Sequence, residues 1–238
     1  MATNKVKTFN KTVLELDLAG YSDIARRLEE NLSAEVVMRF NDQIQEFVDV
    51  GLAAVALSRS KTVMATTGDG AILLFDNARD AHCFAQALHQ AAPKYNAVKT
   101  VPSAKRWFRI GAATGEIAIK SDSKRQEMAG IAIANAVRLE SKAGIGEILI
   151  DLATYNRLPE DLQHAYGNEE EVPGKRNEKF QARRCAMTPE PVWNADVPTI
   201  ESILGLFDQL QPKDQLNRLM LLINMPIEHR PSDALTLF

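Results

Sequence analysis

Two aspartates in this 238-residue chain stand where a carboxylate can do more than turn the backbone. Asp17 lies in the apolar run Val13-Leu14-Glu15-Leu16-Asp17-Leu18, three residues before Gly20. Asp69 lies between two glycines in Thr67-Gly68-Asp69-Gly70, and the apolar run Ala71 to Phe75 follows at once. An Asp-Gly step ahead of an apolar segment is a strong hairpin signal, and on that reading Asp69 is a turn residue without chemistry. The other reading is a carboxylate at the lip of a sheet, placed to hold a divalent metal. Asp17 has the same two readings, a cap or turn against a ligand. Its place within an apolar run favours a partner, because an unpaired charge there is costly. Two carboxylates converging from neighbouring strand ends suit a two-metal site for phosphoryl chemistry. Arg138, on a segment rich in small residues, supplies a cation able to stabilise charge on a transferring phosphorus.

The elements that position these groups can be read in order. Val13 to Leu18 reads as a short buried strand. Gly20 breaks it, and Ser22 is the expected N-cap of the helix that follows. The free N–H groups of such a helix start suit an anion. Residues 33–50 form a strong amphipathic helix with Val37, Phe40, Ile44, Phe47 and Val48 on one face. Ser58 to Lys61 reads as a turn or bulge. Asp76 or Asn77 caps a helix to about residue 97, with Ala81, Phe84, Ala85, Leu88 and Ala91 inward. His82 and His89 on it are expected to be partly exposed. Residues 107–119 read as two strands joined at a Gly-containing turn, with a polar loop after them. A helix over 130–142, a strand over 147–150, short helices near Tyr155 and Leu162, and a last strand over 179–186 complete the unit. Glu169-Glu170-Glu171 is expected to be a solvated loop. The alternation indicates an α+β sandwich of βαββαβ type, with helices over a mainly antiparallel sheet.

Composition narrows the function classes. The formal net charge is −3, which gives no electrostatic support to nucleic-acid binding or to a polymerase-like palm. Cys83 and Cys185 are far apart and match no metal or redox spacing, as in a reducing compartment. The polar start of the chain carries no secretory core, and no run reaches membrane-span length, so the expectation is a cytoplasmic protein without membrane contact. Pro189, Pro191 and Pro198 mark an expected linker over 188–198, dividing a domain over 10–187 from a helical segment over 199–238. Such a short pair of helices suits an adaptor for a protein partner or a cap on the main domain.

Leu16-Asp17-Leu18-Ala19-Gly20-Tyr21-Ser22, Thr67-Gly68-Asp69-Gly70, Ile110-Gly111-Ala112-Ala113-Thr114-Gly115-Glu116 and the stretch GIAIANAVRLE over 130–140 occur together in this order. In order and spacing they resemble the catalytic domains of class III nucleotidyl cyclases. The resemblance covers residues 10–187. It implies a ferredoxin-like sandwich and a homodimer with composite active sites acting on a nucleoside triphosphate. Asp17, the Leu18 backbone and Asp69 would hold two Mg²⁺ or Mn²⁺ ions per site. The backbone of Leu18, Ala19, Gly20 and Tyr21 would cradle the phosphates. Arg138 would reach in from the other subunit to stabilise the transition state of 3′,5′-cyclisation, with release of pyrophosphate.

The departures from the family pattern concern the base and the sugar. Ala65 occupies a position where purine cyclases read the base with a lysine or glutamate, and a methyl cannot hydrogen-bond a base edge. Glu127 falls at the partner base-reading position. Ala134 replaces the asparagine that orients the ribose, with Asn135 beside it. Pro173 falls where a triphosphate-gripping lysine is expected, and Lys175 is the nearby substitute. With the metal aspartates kept and the purine readers gone, the sequence leans to a pyrimidine nucleotide, as in the cyclases of bacterial anti-phage signalling. Residues 214–232 resemble the small helical effector-associated domains of bacterial conflict systems. The alternatives are an adenylate or guanylate cyclase, and a degenerate cyclase fold that only binds nucleotide or dimerises.

Overall fold

A computed structural model describes residues 6–97, 99, 102–121, 126–173 and 179–188, with a few more between 205 and 215. Its frame is β1 (Val6–Leu18) and β4 (Phe108–Ser121), paired antiparallel with Val6 opposite Lys120 and Leu18 opposite Phe108. Around this pair the sheet runs β2 (Val63–Thr66), β3 (Gly70–Phe75), β1, β4, β6 (Glu147–Asp151), β8 (Lys179–Ala186) and β7 (Glu169–Pro173). β5 (Gln126–Ala129) folds back on the end of β4. Among the described pairs, β4 with β6 alone is parallel. This is the expected α+β sandwich with a mainly antiparallel sheet.

Alternation along β1 assigns its two faces. Leu14, Leu16 and Leu18 join the core beneath α2 (Ala34–Ala54) and α4 (Ala78–Asn96), with Phe40, Ile44, Phe47 and Phe84. Val13 faces the other way, into a smaller cluster under α5 (Ile131–Glu140) with Ala113, Ala136 and Leu139. Glu15 and Asp17 therefore project from that second face. Ser33 caps α2, its Oγ accepting from the Val36 N–H at 3.4 Å, and Asn77 caps α4 by accepting from Asp80 N–H at 2.8 Å. The expected short helices are α6 (Leu152–Tyr155) and α7 (Glu160–Gln163).

Several expectations change. Residues 108–121 form one unbroken strand, and Gly115 lies opposite Lys11 in the ladder rather than in a turn. β1 is nearly as long, 13 residues against 14, so each β4 residue from Phe108 to Lys120 finds a partner on it. Ser22 does not cap α1 (Tyr21–Asn31); Gly20 does, at φ 74°, a left-handed conformation that glycine adopts without strain. Ser58 to Lys61 leads into a helical turn, α3 (Arg59–Thr62), rather than a bulge. The acidic run belongs to edge strand β7, where Glu169, Glu170 and Glu171 meet Arg183, Arg184 and Lys179 of β8. Charged side chains on an edge strand also discourage pairing with other chains.

His82 and His89 are buried, not partly exposed, because the inward face of α4 is wider than the alanine and phenylalanine stripe. His82 Nδ1 lies 2.9 Å from the Tyr166 hydroxyl. Burial pushes the His89 pKa down to about 4, against the opposing pull of the Glu147 backbone. The linker and helical segment expected over 188–238 lie largely outside the described residues; residues 212–215 are helical. No helix among the described residues is long and apolar enough to cross a membrane.

α5 packs directly on β4 at Gly111. A Cβ there would stand 2.1 Å from the Glu140 nitrogen and 2.3 Å from the Ala136 carbonyl oxygen, both backbone atoms. Gly111→Ala is expected to push α5 off the sheet and destabilise the protein by about 1–3 kcal/mol or more. Gly167→Ala is the control, since a Cβ there meets its nearest atom at an ordinary 3.6 Å. Thermal unfolding of the two variants checks the difference.

Candidate active site

The two aspartates come together. Asp17 is the penultimate residue of β1, and Asp69 immediately precedes β3. The strands pair with Asp17 opposite Gly70, and the Leu18 N–H donates to the Asp69 carbonyl at 2.8 Å. Gly70 permits this register: a Cβ there would stand 1.9 Å from the Leu16 carbonyl oxygen. Asp17, Leu18, Gly20, Tyr21, Ser22, Asp23, Asp69 and Arg109 line an open cleft of about 290 Å³.

The start of α1 forms one wall of this cleft. Gly20 offers no side chain to cap the helix, so its first N–H groups are left to other acceptors. The Leu18 and Ala19 N–H groups are already committed, to Asp69 and to the Trp107 carbonyl, each at 2.8 Å. Ala19 is buried and does not line the cleft. The N–H groups left for an acceptor therefore begin at the helix start, beyond Ala19. Tyr21, the first residue of α1, braces this wall. Its ring stacks on Phe40 with centroids 5.3 Å apart, and its hydroxyl lies 2.8 Å from the Asn41 side chain. With its nitrogen turned to the Gly68 turn, the Asn41 amide donates to the Gly68 carbonyl at 3.2 Å.

Arg109, Glu15 and Glu140 are neighbours of the two aspartates that the sequence reading missed. Arg109 lies opposite Asp17 on β4, and its Nη2 donates to Asp17 Oδ2. Its Nε stands 3.2 Å from Glu140 Oε1 at the end of α5. Neither Nε nor that oxygen makes a hydrogen bond. Glu15, on the same face of β1 as Asp17, has a buried Oε2 without a partner. One guanidinium thus faces a group of carboxylates. Burial, then the charges of Glu140, Asp17 and Asp69, push the Glu15 pKa up to about 8. Burial and the charges of Asp17 and Asp69, against the pull of Arg109, push that of Glu140 up to about 7. Burial also raises Asp17, with Arg109 opposing. A spacing of two between Glu15 and Asp17 on a strand was the available signal for the first of these.

The other expected residues lie elsewhere. Ala65 is exposed on β2 and pairs with Ile72, which itself pairs with Glu15. Directly paired residues share a face, so Ala65 and Ile72 present an apolar row beside the carboxylates. Glu127 lies opposite Lys120 in the β4–β5 hairpin, and Lys120 lies opposite Val6. That is eleven residues of β1 from Asp17, or about 36 Å at strand rise. Arg138 Nη1 donates to Asn135 Oδ1 at 3.2 Å, and neither residue lines the cleft. Glu140, which faces Arg109, is two residues on, about 200° around the helix, so Arg138 points away from the Asp17 side. Lys175 lies outside the described residues.

Asp17 and Asp69 fit hard, oxygen-loving divalent cations such as Mg²⁺ or Mn²⁺. Among the described residues no three acidic, histidine or cysteine side chains converge to hold a metal alone. Two carboxylates with water and substrate phosphate oxygens are what Mg²⁺ ordinarily uses. The attraction of Arg109 to Asp17 shows that the pocket favours positive charge.

No protein-family model and no curated protein matches the sequence. Solved structures do match the fold. An adenylate/guanylate cyclase/hydrolase from Silicibacter pomeroyi is 23% identical, with a TM-score of 0.60 over 76% of this chain and 99% of that one. The guanylyl cyclase Cya2 is 21% identical, with a TM-score of 0.60 over 79% and 96%. The guanylate cyclase domain of RhGC from Catenaria anguillulae, in complex with GTP, is 19% identical, with a TM-score of 0.58 over 78% and 100%. At this identity the likeness establishes a shared fold, that of adenylate and guanylate cyclase catalytic domains.

The raised Glu15 pKa carries a pH signature. The folded protein binds this proton more tightly than the unfolded chain, so the stabilisation is complete below pH 4.5 and is lost as pH rises through about 8. Metal-free wild-type protein is expected to lose thermal stability over this window. Glu15→Gln should flatten the loss, with its gain over wild type growing from pH 5 to pH 8.5. Melting curves in chelator across that range measure it.

Proposed function

We propose that residues 10–187 are a nucleotidyl cyclase domain that converts a nucleoside triphosphate to a 3′,5′-cyclic monophosphate and pyrophosphate. The observation that carries this reading is the meeting of Asp17 and Asp69 in one cleft, beside a helix start without a side-chain cap. Asp17 and Asp69, with the Leu18 backbone, would hold two Mg²⁺ or Mn²⁺ ions. Bound there, the ions would supply Lewis-acid charge to activate the 3′-hydroxyl and neutralise the triphosphate. The chain's own groups supply position. The start of α1 binds phosphate oxygens, with Gly20 and Tyr21 at the wall. Tyr21 and Asn41 keep the Gly68 turn closed, so the two carboxylates stay side by side. The bond formed joins the ribose 3′-oxygen to the α-phosphorus. The bond broken releases pyrophosphate, and the hydroxyl proton leaves to water.

The acting unit on this reading is a homodimer. Arg138 and Asn135 project away from the cleft of their own chain, and Glu127 is far along the sheet. A second copy brings them to it. Lys175, in the segment after β7, is the reading's triphosphate cation.

The substrate leans to a pyrimidine nucleotide. Ala65 and Ile72 offer no hydrogen-bonding side chain for a purine edge. Placement in bacterial anti-phage signalling, and a protein partner for residues 199–238, are supported by the sequence resemblance. The second reading, a fold that binds nucleotide or dimerises without turnover, is favoured by Ala134 in place of a ribose-orienting amide.

Incubation of the purified chain with ATP, GTP, CTP or UTP and Mn²⁺, with mass identification of products, is expected to yield cyclic CMP or cyclic UMP. No cyclic product from any of the four would sink the enzymatic reading. Asp69→Ala should lower turnover by at least about a hundredfold, the scale of losing an electrostatic group at a developing charge. Arg138→Ala should do the same. Mixing the two inactive variants should restore about one quarter of wild-type activity, because half of randomly paired dimers hold one intact site. Absence of that recovery counts against a shared site.

A further inference from the structure

Arg106, just ahead of β4, is a buried cation without an anion. It is 5% exposed, and among the described residues no carboxylate pairs with it. Burial pushes its pKa down to about 10, which leaves it charged at neutral pH. Its guanidinium carbon lies 4.4 Å from the Phe40 ring centroid and 5.9 Å from that of Tyr95. Nη1 donates to the Ser103 carbonyl and Nη2 to Gln43 Oε1, each at 2.9 Å, while the buried Nε has no partner. An apolar side chain of similar length would fill this place without burying a charge, so packing alone does not account for an arginine here.

Two chains of contact run from Arg106 to the cleft. In the first, the Phe40 ring beneath its guanidinium stacks on Tyr21 with the planes 11° apart, and Tyr21 and Asn41 together reach the Gly68 carbonyl. A Cβ at Gly68 would stand 2.4 Å from the Tyr21 hydroxyl, so the tyrosine seats directly on the turn that carries Asp69. In the second, the Asn96 side chain grips the Arg106 N–H at 2.7 Å and its carbonyl at 2.8 Å, and the guanidinium closes the same loop on Ser103. The next carbonyl, that of Trp107, accepts the Ala19 N–H two residues after Asp17. We propose that Arg106 is a positioning residue that fixes the two aspartates relative to each other, through Phe40 and Tyr21 on the Asp69 side and through Trp107 on the Asp17 side. A cation over the ring holds Phe40 in one orientation, and the stack hands that orientation to Tyr21. The value of this to turnover rests on the reading of Asp17 and Asp69 as metal ligands; the positioning itself does not.

The test is amide hydrogen exchange by NMR on the full chain, without metal or nucleotide. Three N–H groups report on the cleft: Leu18 to the Asp69 carbonyl, Thr67 to the Gly70 carbonyl and Ala19 to the Trp107 carbonyl. Arg106→Met should speed exchange of all three by about tenfold relative to the amides of β8. Arg106→Lys keeps a cation over Phe40 and should stay within about threefold of wild type. Tyr21→Leu cuts the first chain alone and should speed Leu18 and Thr67 but not Ala19. Adding Arg106→Met to it should then change Ala19 alone, because the first chain is already broken. Unchanged rates at the three groups in Arg106→Met overturn the proposal. So does a rise shared equally by β8, which would make Arg106 a stabiliser of the whole fold. Arg106→Gln carries the same expectation as Arg106→Met and decides should the latter fail to fold. Mn²⁺ binding, followed by electron paramagnetic resonance, should weaken by about threefold in Arg106→Met, the scale of a modest misplacement of two ligands. Binding that needs Asp17 yet ignores Arg106→Met overturns the bearing of Arg106 on the site. Binding indifferent to Asp17→Ala overturns the metal reading alone, and the exchange rates still decide the positioning.

Discussion

A single guanidinium facing several carboxylates governs this site. Asp17, Asp69, Glu15 and Glu140 all bear on one another electrostatically, and Arg109 pairs with two of them. Like charges brought together in a half-buried place lower stability unless a cation or a proton compensates them. The sheet nonetheless holds them there, because the apolar side of the same strands is well packed. Leu14, Leu16 and Leu18 alternate with Glu15 and Asp17, and the leucines are buried against α2 and α4. Hydrophobic burial on one face of β1 thus offsets electrostatic strain on the other. A protein that breaks a local rule so openly commonly does so at a functional site.

Close backbone contacts make the arrangement stiff. Gly70 sets the β1–β3 register that puts Asp69 beside Asp17, and Gly111 lets α5 bring Glu140 down to Arg109. Neither contact involves a side chain that could yield. The carboxylates are fixed to strands and a helix end, whereas Arg109, with its long side chain, is the adjustable partner.

The fold and the meeting of Asp17 with Asp69 were legible in the sequence because their signals are local. Asp17 and Asp69 each sit beside a glycine at the end of an apolar run. Helices α2 and α4 have apolar faces at helical spacing with Ser33 and Asn77 ahead of them. Arg109 was not legible as a partner of Asp17, since 92 residues separate them and only the β1–β4 register joins them. Glu140 was read as part of a helical motif, not as a group facing the sheet. Gly115 read as a turn because a glycine between apolar runs is ambiguous until the length of the neighbouring strand is known. His82 and His89 were misplaced because no metal-type partner lies near them in the sequence, while their spacing of seven on α4 put both on the covered side.

The outward aim of Arg138 has a consequence for how such a protein would be controlled. If each cleft is completed by a neighbour's arginine, an isolated chain is inert whatever its substrate supply. Below the dissociation constant of the pair, output then falls with the square of the chain concentration. Abundance becomes an input signal, and crowding chains onto a shared scaffold would raise output without any change at the cleft.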